Sequence, residues 1–416
     1  MIHIPPALHH RRFRLLWLGL LISIAGSQMQ LWALFWHIRT LTDQPIALGA
    51  VGLARILPVV VFSLVAGAVA DVYNRRRILF LTQTGMALVA LTLGWLTLSG
   101  RIELWQIYLL TAVQAVAISF DAPSRQALVP NLVPARDLPN AFSMNSIAHQ
   151  TGAIIGPAIS GFIIAAGGLP YVYIINAISF MAVILALVLM GPVEQQASGT
   201  TQKATVSLKA IEEGVRFILN QPLILATMIL DFFATFFASA NTLMPIVAVD
   251  VLQVGPVEYG WLSSAQAIGA MAAALVISQM HQIRRQGMTF LLAVVAFGLA
   301  TIAFGLARTF IIAMLALIVI GASDTVSTII RNTIRQLSTP DHLRGRMTSV
   351  NQLFFQGGPQ LGEMEAGVVA QLFGAPAAII SGGLGCILAV AWISQRWPQL
   401  RKYNGDEPVV AGSPAN

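Results

Sequence analysis

The chain has 416 residues, of which 56% are hydrophobic and only 10% are charged, whereas soluble proteins carry about a quarter charged residues. This composition excludes an ordinary soluble domain. The net charge of +7 is spread over short loops rather than one basic domain, and Cys386 is the single cysteine, so neither nucleic-acid binding nor a disulfide or cysteine-metal framework is indicated.

Twelve apolar stretches are long enough to cross a membrane, because a helix needs about 20 residues to span the hydrocarbon layer. The first follows a basic run at 9–14 and continues past Trp36 without a small-residue cleavage site, which indicates an uncleaved helix. The predicted spans are 14–38, 46–70, 77–98, 104–126, 142–166, 170–190, 222–247, 257–280, 287–307, 310–334, 347–371 and 375–396. We therefore predict an all-α integral membrane protein with twelve transmembrane helices.

The longest polar segment lies between the sixth and seventh spans and divides the chain into two halves. It contains an amphipathic run from Leu208 to Ile218, typical of a helix on a membrane surface. The predicted domains are an N-terminal six-helix bundle at 1–190, a cytoplasmic linker with an amphipathic helix at 191–221, a C-terminal six-helix bundle at 222–398 and a flexible cytoplasmic tail at 399–416.

Lys and Arg residues orient the spans, since positively charged short loops resist translocation. With a cytoplasmic N-terminus only Arg39, Arg101 and Arg308 fall on the opposite side, and Arg55 lies inside the second span. We predict a multi-pass protein of the bacterial cytoplasmic (inner) membrane with both termini in the cytoplasm.

The two halves share an internal repeat. A shift of 206 residues superimposes Arg125, Gly152, Gly156 and Gly161 on Arg331, Gly358, Gly362 and Gly367, and a shift of 211 places Gly49 on Gly260. Parallel repeats of this kind build the halves of some secondary transporters.

Two motifs carry a resemblance to a known family. Gly67, Asp71, Arg75 and Arg76 match the loop motif G-x-L-a-D-r-x-G-r-k of the major facilitator superfamily, although Val72 and Asn74 replace its usual Arg and Gly. On the fifth span, Gly152, Gly156, Pro157 and Gly161 resemble the antiporter motif G-x-x-x-G-P-x-x-G-G of drug–proton exporters, with Ser160 in place of one Gly. Glycines four residues apart also let helices approach closely, so a packing role is equally compatible with this motif.

A longer match extends the resemblance over the chain. The stretches around 231–237, 254–256, 321–327 and 336–346, together with 360–363, resemble the bacterial exporter group that includes the enterobactin exporter and macrolide efflux proteins. The resemblance implies two six-helix bundles that alternately expose a midplane site lined by helices 1, 4, 7 and 10. The substrate-cavity candidates on these helices are Gln28, Met29, Trp32, Trp36, Phe232, Phe236 and Asn241.

Ionisable residues within apolar spans are costly and are functional candidates by default. The proton-coupling candidates are Asp231, Glu363, Asp324 and Arg55. A cytoplasmic gate is expected from Gly67, Asp71, Arg75, Arg76, Asp121, Arg125 and Arg331. For Arg125 and Arg331 two roles stay open: a positive helix end that lysine could replace, or a bridge to an acid of the facing bundle that needs the guanidinium.

These features favour a secondary transporter that exports a small amphipathic molecule, drug-like or siderophore-like, by proton antiport. No G-x-x-x-x-G-K-[ST] loop is present, so the energy is expected from a gradient rather than ATP. The expected partners are the substrate, protons and the lipid bilayer, with no nucleic acid, metal or cofactor. The alternatives are a proton-coupled importer of the same fold and a membrane-embedded enzyme, for which no clustered nucleophile or metal ligands are evident.

Overall fold

The structure, a computed structural model, describes residues 5–193, 208–238, 240–280, 283–340 and 343–405. The regular secondary structure of these residues is helical, and the chain divides into two compact units. Unit 1 comprises Met1–Asp43, Ala54–Thr205 and Gly255–Ser264, and unit 2 comprises Gln44–Leu53, Val206–Val254 and Ala265–Asn416.

The first seven helices belong mainly to unit 1. They are α1 (Pro6–His9), α2 (Arg11–Leu41), α3 (Pro45–Val72), α4 (Arg75–Leu98), α5 (Leu104–Leu128), α6 (Leu138–Ala166) and α7 (Leu169–Met190). α2 packs against α6 and α7, while α4 packs against α5 and α7. Buried apolar side chains such as Phe13, Leu79 and Leu187 form the core where these helices meet.

The remaining helices belong mainly to unit 2. They are α8 (Leu208–Leu219), α9 (Pro222–Phe237), α10 (Met244–Ile246), α11 (Pro256–Ser278), α12 (Gln286–Leu306), α13 (Phe310–Ser338), α14 (Arg344–Phe373), α15 (Ala375–Arg396) and α16 (Pro398–Lys402). α12 packs against α13 and α15, and α9 packs against α14 and α15. Leu230, Phe290, Ile334 and Ile393 are buried in its core.

The helical membrane architecture predicted from the sequence is confirmed. Among the described residues, 11 helical segments are long and apolar enough to cross a membrane. α14, with 30 residues, is also long enough to span about 30 Å of hydrocarbon at 1.5 Å per residue, although it is not among these 11 segments.

Local chemistry explains several helix ends. The Asn74 side chain accepts a hydrogen bond from the Arg77 backbone N–H and caps α4. Glu103 and Gln106 form a reciprocal capping box at the start of α5. Gly191 follows α7 with φ of 72°, a conformation that favours glycine.

The seventh predicted span is not one continuous helix. α9 stops at Phe237, and the chain continues through a 3₁₀ turn at Ala240–Leu243, the short α10 and a π-helical turn at Val247–Val251. Pro245 stands in the first turn of α10, where a missing backbone N–H leaves no intrahelical hydrogen bond unmade. The predicted span 222–247 lies within the segment Pro222–Val251, which as a whole is long and apolar enough to cross a membrane.

Two short segments pack in the unit formed mainly by the other half of the sequence. The first turns of α3, within Gln44–Leu53, belong to unit 2, and the first turns of α11, within Gly255–Ser264, belong to unit 1. Glycines make both contacts close: a Cβ built on Gly49 would lie 3.1 Å from the Gly367 Cα, and one on Gly260 would lie 3.1 Å from the Gly161 Cα. The observed units therefore differ from a simple division at residue 190.

Unit 2 includes packed residues on both sides of the predicted C-terminal domain at 222–398. Leu400 and Tyr403 are buried in the core of unit 2, and the Gly287 N–H donates to the Tyr403 carbonyl, so residues 399–403 are packed rather than a flexible tail. Ile218 of α8 is buried with Ile224 and Met228, which attaches the described end of the linker to unit 2. Residues 194–207 of the linker and 406–416 of the tail lie outside the described residues.

Candidate functional site

A buried ion pair joins α9 to α13 in unit 2. Arg331 Nη1 lies 2.5 Å from Asp231 Oδ1, and the two side chains are 3% and 4% exposed. The same nitrogen donates to Ser327 Oγ at 3.3 Å and lies 3.9 Å from Asp324 Oδ1, whose side chain is 49% exposed. Since residues three, four and seven positions apart share a helix face, α13 presents Asp324, Ser327 and Arg331 together.

This arrangement changes the expected role of Arg331. A side chain that is 3% exposed and paired with Asp231 is not an anchor at the lipid headgroups. Its acid partner also lies in the same unit, not in the facing bundle. Arg331 therefore bridges to an acid on another helix of its own unit, and its part in a cytoplasmic gate stays a prediction.

Arg335 adds a second buried guanidinium one turn further along α13. It is 4% exposed and donates to the Asn332 side chain. Within the described residues, Arg331 Nε and Arg335 Nη1 have no hydrogen-bond acceptor. The sequence analysis missed Arg335 as a site residue, although its spacing of four from Arg331 was the available signal. Asp231 Oδ1 also makes no hydrogen bond of good geometry among the described residues, so the site has both donors and an acceptor that are not fully used.

The other proton-coupling candidates occupy different surroundings. Glu363 on α14 is 8% exposed. Its Oε2 would lie 3.0 Å from a Cβ built on Gly52, so the carboxylate packs closely against the first turns of α3, which belong to the same unit 2. Arg55 is half-buried and belongs to unit 1. The structure therefore brings Asp231, Asp324 and Arg331 together and places Arg55 in the other unit.

Unit 1 contains its own buried carboxylate. Asp121 on α5 is 1% exposed, and its Oδ2 lies 2.7 Å from Arg125 Nη2. Its Oδ1 accepts hydrogen bonds from Gln83 Nε2 at 2.7 Å and Thr82 Oγ1 at 3.1 Å, both on α4. Asp121 thus ties α4 to α5 while neutralising Arg125, as the sequence spacing of four predicts for the pair.

The arginines of the loop motif bind helix ends within unit 1. Arg75 donates to the Ala127 carbonyl at 3.0 Å and to Asn131 Oδ1 at 3.1 Å, and Arg76 Nε donates to the Leu187 carbonyl at 2.8 Å. These bonds satisfy carbonyl groups that have no partner within their own helix. A Cβ on Gly67 would meet nothing within 4 Å, and the Asp71 side chain lies outside the described residues.

The antiporter-like motif on α6 makes close helix contacts. A Cβ on Gly152 would lie 3.1 Å from the Ala25 backbone N, and one on Gly156 would lie 2.9 Å from the Met29 backbone N, both on α2. The Pro157 carbonyl and Gly161 face Gly260 in the same way. The packing role considered for this motif therefore accounts for each of its glycines.

The aromatic cavity candidates fall into two clusters. In unit 1 the ring centroids of Trp32 and Trp36 lie 6.2 and 4.8 Å from that of Tyr259, whose hydroxyl donates to the Trp32 carbonyl. In unit 2 Phe232 and Phe236 are stacked with centroids 5.8 Å apart. Tyr259 was not predicted as a member, because it lies far from α2 in the sequence.

Amide side chains accompany these aromatic clusters. Asn241 accepts from Gln266 at 2.8 Å in unit 2. In unit 1 Gln30 Nε2 donates to Gln114 Oε1 at 2.6 Å, and Asn176 Nδ2 donates to Gln30 Oε1 at 2.7 Å. Gln114, Asn176 and Gln266 were missed, although amides inside apolar helices were the signal that could have found them.

The two remaining candidates on α2 differ in exposure. Gln28 is half-buried. Met29 is 3% exposed and packs with Ala33 and Val172, so it belongs to the core of unit 1 and the expectation that it contacts substrate is wrong.

The helices, their buried charges and their aromatic clusters define a multi-pass membrane transporter. The chain belongs to the transmembrane secretion effector family of the major facilitator superfamily, whose family model matches residues 5–409. The chain is accordingly a transporter rather than an enzyme, which removes the membrane-enzyme alternative. Within the described residues there is no cluster of three His, Cys, Asp or Glu side chains that could hold a metal ion.

The chain is similar to two named efflux proteins. It is 26% identical over 392 residues to the multidrug efflux pump Tap of Mycolicibacterium fortuitum, covering 91% of this chain and 94% of that protein. It is 25% identical over 352 residues to the enterobactin exporter EntS of Shigella boydii, covering 84% and 83%. A solved bacterial homolog of the human lysosomal transporter Spinster shares the fold, with a TM-score of 0.73, 15% identity and coverage of 99% and 100%.

Proposed function

We propose that this protein is a secondary active exporter that moves a small amphipathic molecule outward in exchange for protons. The observation that carries the proposal is the buried pair of Asp231 and Arg331, with Asp324 as a second acid near the same guanidinium. Charged side chains inside a membrane are retained where they serve transport or proton movement. The efflux relatives Tap and EntS support the outward direction.

The coupling step is a change of partner by Arg331. With Asp231 ionised, its carboxylate holds Arg331 at 2.5 Å. A proton that binds Asp231 removes the negative charge, and the guanidinium then turns toward Asp324 Oδ1, which is 3.9 Å away and more exposed. Release of the proton restores the first pair. A two-state element of this kind lets proton binding favour one conformation over another.

The substrate class follows from the side chains near the pair and on α2. The stacked Phe232 and Phe236 lie on the same helix as Asp231, and Trp32 and Trp36 form the aromatic cluster of unit 1. Aromatic surfaces accept bulky apolar groups, while amides such as Asn241 orient the polar part of a ligand. A small molecule with both characters, drug-like or siderophore-like, fits this set.

The orientation proposed here places both termini in the cytoplasm of a bacterial cell, because the positive residues of the short loops then lie inside. In that orientation the loop motif with Gly67, Asp71, Arg75 and Arg76 forms part of a cytoplasmic gate. Asp121 and Arg125 contribute to the gate by holding the cytoplasmic ends of α4 and α5 together.

The proposal is tested with inverted membrane vesicles from cells with and without the protein. The vesicles are energised to acidify their interior and incubated with a small-molecule extract of the same cells, and the compounds retained are compared by untargeted mass spectrometry. An exporter accumulates a compound only in vesicles that contain the protein, and a protonophore abolishes the accumulation. Accumulation in right-side-out vesicles alone would support the importer instead.

A further inference from the structure

A cavity of about 370 Å³ opens at the start of α2 in unit 1. Basic and apolar side chains line it together: His10, Arg11 and Arg12 are basic, and Leu15, Leu132, Leu189 and Met190 are apolar. The volume lies within the range of about 300–1,000 Å³ that is common for small-molecule sites. None of these residues takes part in the site described above.

The charge of this cavity is positive. Arg11 and Arg12 are exposed, and in the part of the chain that the structure describes neither forms an ion pair. The nearby acid, Asp137, lies 2.7 Å from His10 Nε2 and 3.9 Å from Arg136 Nε, so it contacts His10 and Arg136. The first turn of α2 adds backbone N–H groups and the positive end of the helix dipole.

The apolar wall lies where two membrane-crossing helices end. Leu189, at the last turn of α7, is 52% exposed, while its neighbour Met190 is 4% exposed. Leu15 lies one turn into α2, beyond the two arginines. A ligand that fits both walls has an anionic group beside a hydrocarbon portion, at the depth where lipid headgroups meet acyl chains.

We propose that this cavity binds the headgroup of an anionic phospholipid. The phosphate diester lies between the guanidinium groups of Arg11 and Arg12, which offer planar paired donors to phosphate oxygens. The glycerol and the first acyl carbons pack on Leu15 and Leu189. Basic pockets beside transmembrane helices bind anionic headgroups by the same combination of charge and hydrocarbon contact. The inference is independent of the proposed transport function.

The test is native mass spectrometry of the full-length protein in detergent, titrated with phosphatidylglycerol or phosphatidylcholine. Arg11→Gln/Arg12→Gln removes both cavity charges, and Arg14→Gln is the matched control, because Arg14 is exposed on the same turn but does not line the cavity. Wild type and the control are expected to bind phosphatidylglycerol more tightly than phosphatidylcholine. The double variant is expected to lose about tenfold or more of that affinity.

A third variant separates a lipid from a free anion. Leu189→Ser removes the apolar wall and keeps the arginines, and Leu189 is exposed enough for the fold to tolerate the change. It is expected to weaken phosphatidylglycerol binding, whereas excess inorganic phosphate leaves the wild-type lipid adduct in place. Displacement of the lipid by inorganic phosphate, an equal loss in Arg14→Gln, or no preference for phosphatidylglycerol in wild type would each overturn the proposal.

Discussion

Asp231 and Arg331 are separated by 100 positions in the sequence, yet Asp231 Oδ1 and Arg331 Nη1 lie 2.5 Å apart inside unit 2. The pair connects α9 to α13 through a region whose other side chains are largely apolar. Burying two charges is costly, and their mutual attraction together with the Ser327 hydroxyl offsets part of this cost. A pair retained under these conditions is expected to serve the transport cycle rather than stability alone.

Neutralising one partner of the pair should destabilise the protein. Asp231→Asn leaves the Arg331 charge buried with only Asp324 at 3.9 Å, and loss of one partner of a buried pair costs about 3–5 kcal/mol. Asp231→Asn/Arg331→Gln removes both charges and should recover most of that loss. Thermal unfolding of both variants in detergent checks this. A double variant no more stable than the single one would show that the charge pairing is not the cause.

The two repeat-related arginines should respond differently to lysine. Arg331 contacts Asp231, Ser327 and Asp324 through one buried nitrogen, Nη1. A lysine ammonium is more strongly hydrated than a guanidinium, so it is costlier to bury at this position. Arg125 is 20% exposed, and the salt bridge it forms within the described part of the chain is to Asp121. Arg331→Lys should therefore stop transport in a well-expressed protein, and Arg125→Lys should reduce it only slightly. Equal transport by the two variants at matched expression would contradict the distinction.

Two substitutions at Asp121 separate the effect of its charge on stability from the effect of its hydrogen bonds. Asp121→Asn loses the charge that faces Arg125 but keeps an oxygen to accept from Gln83 and Thr82. Asp121→Ala also leaves the buried Gln83 amide without its acceptor, which costs a further 1–3 kcal/mol or so. The alanine variant should unfold at a clearly lower temperature than the asparagine variant. Coincident unfolding curves would mean that the α4 hydrogen bonds contribute little.

The paired glycines should tolerate no side chain. Gly260→Ala places a Cβ 2.6 Å from the Pro157 carbonyl oxygen, and Gly367→Ala places one 2.9 Å from the Gly49 Cα. Overpacking of this kind costs about 1–3 kcal/mol. Gly85→Ala is the matched control, since a Cβ there meets nothing within 4 Å. Thermal unfolding should separate the two tight positions from the control, and three equal curves would contradict the close contact.

The sequence predicted most of the helical fold because length and apolar content determine which segments can cross a membrane. It could not predict the break after Phe237, because the apolar stretch continues beyond this residue to Val251. The i, i+4 pair of Asp121 and Arg125 follows from helix geometry, whereas the partner of Asp231 depends on which helices pack together. The side of α2 that Met29 faces likewise depends on α7.

The most direct test of proton coupling through Asp231 and Arg331 compares two transport modes in proteoliposomes, using the compound identified with inverted vesicles. Wild type should show both proton-gradient-driven accumulation and substrate exchange without a gradient. Asp231→Asn should keep exchange, which needs no net proton movement, and lose gradient-driven accumulation. Full gradient-driven accumulation by Asp231→Asn would contradict proton coupling through the Asp231 and Arg331 pair.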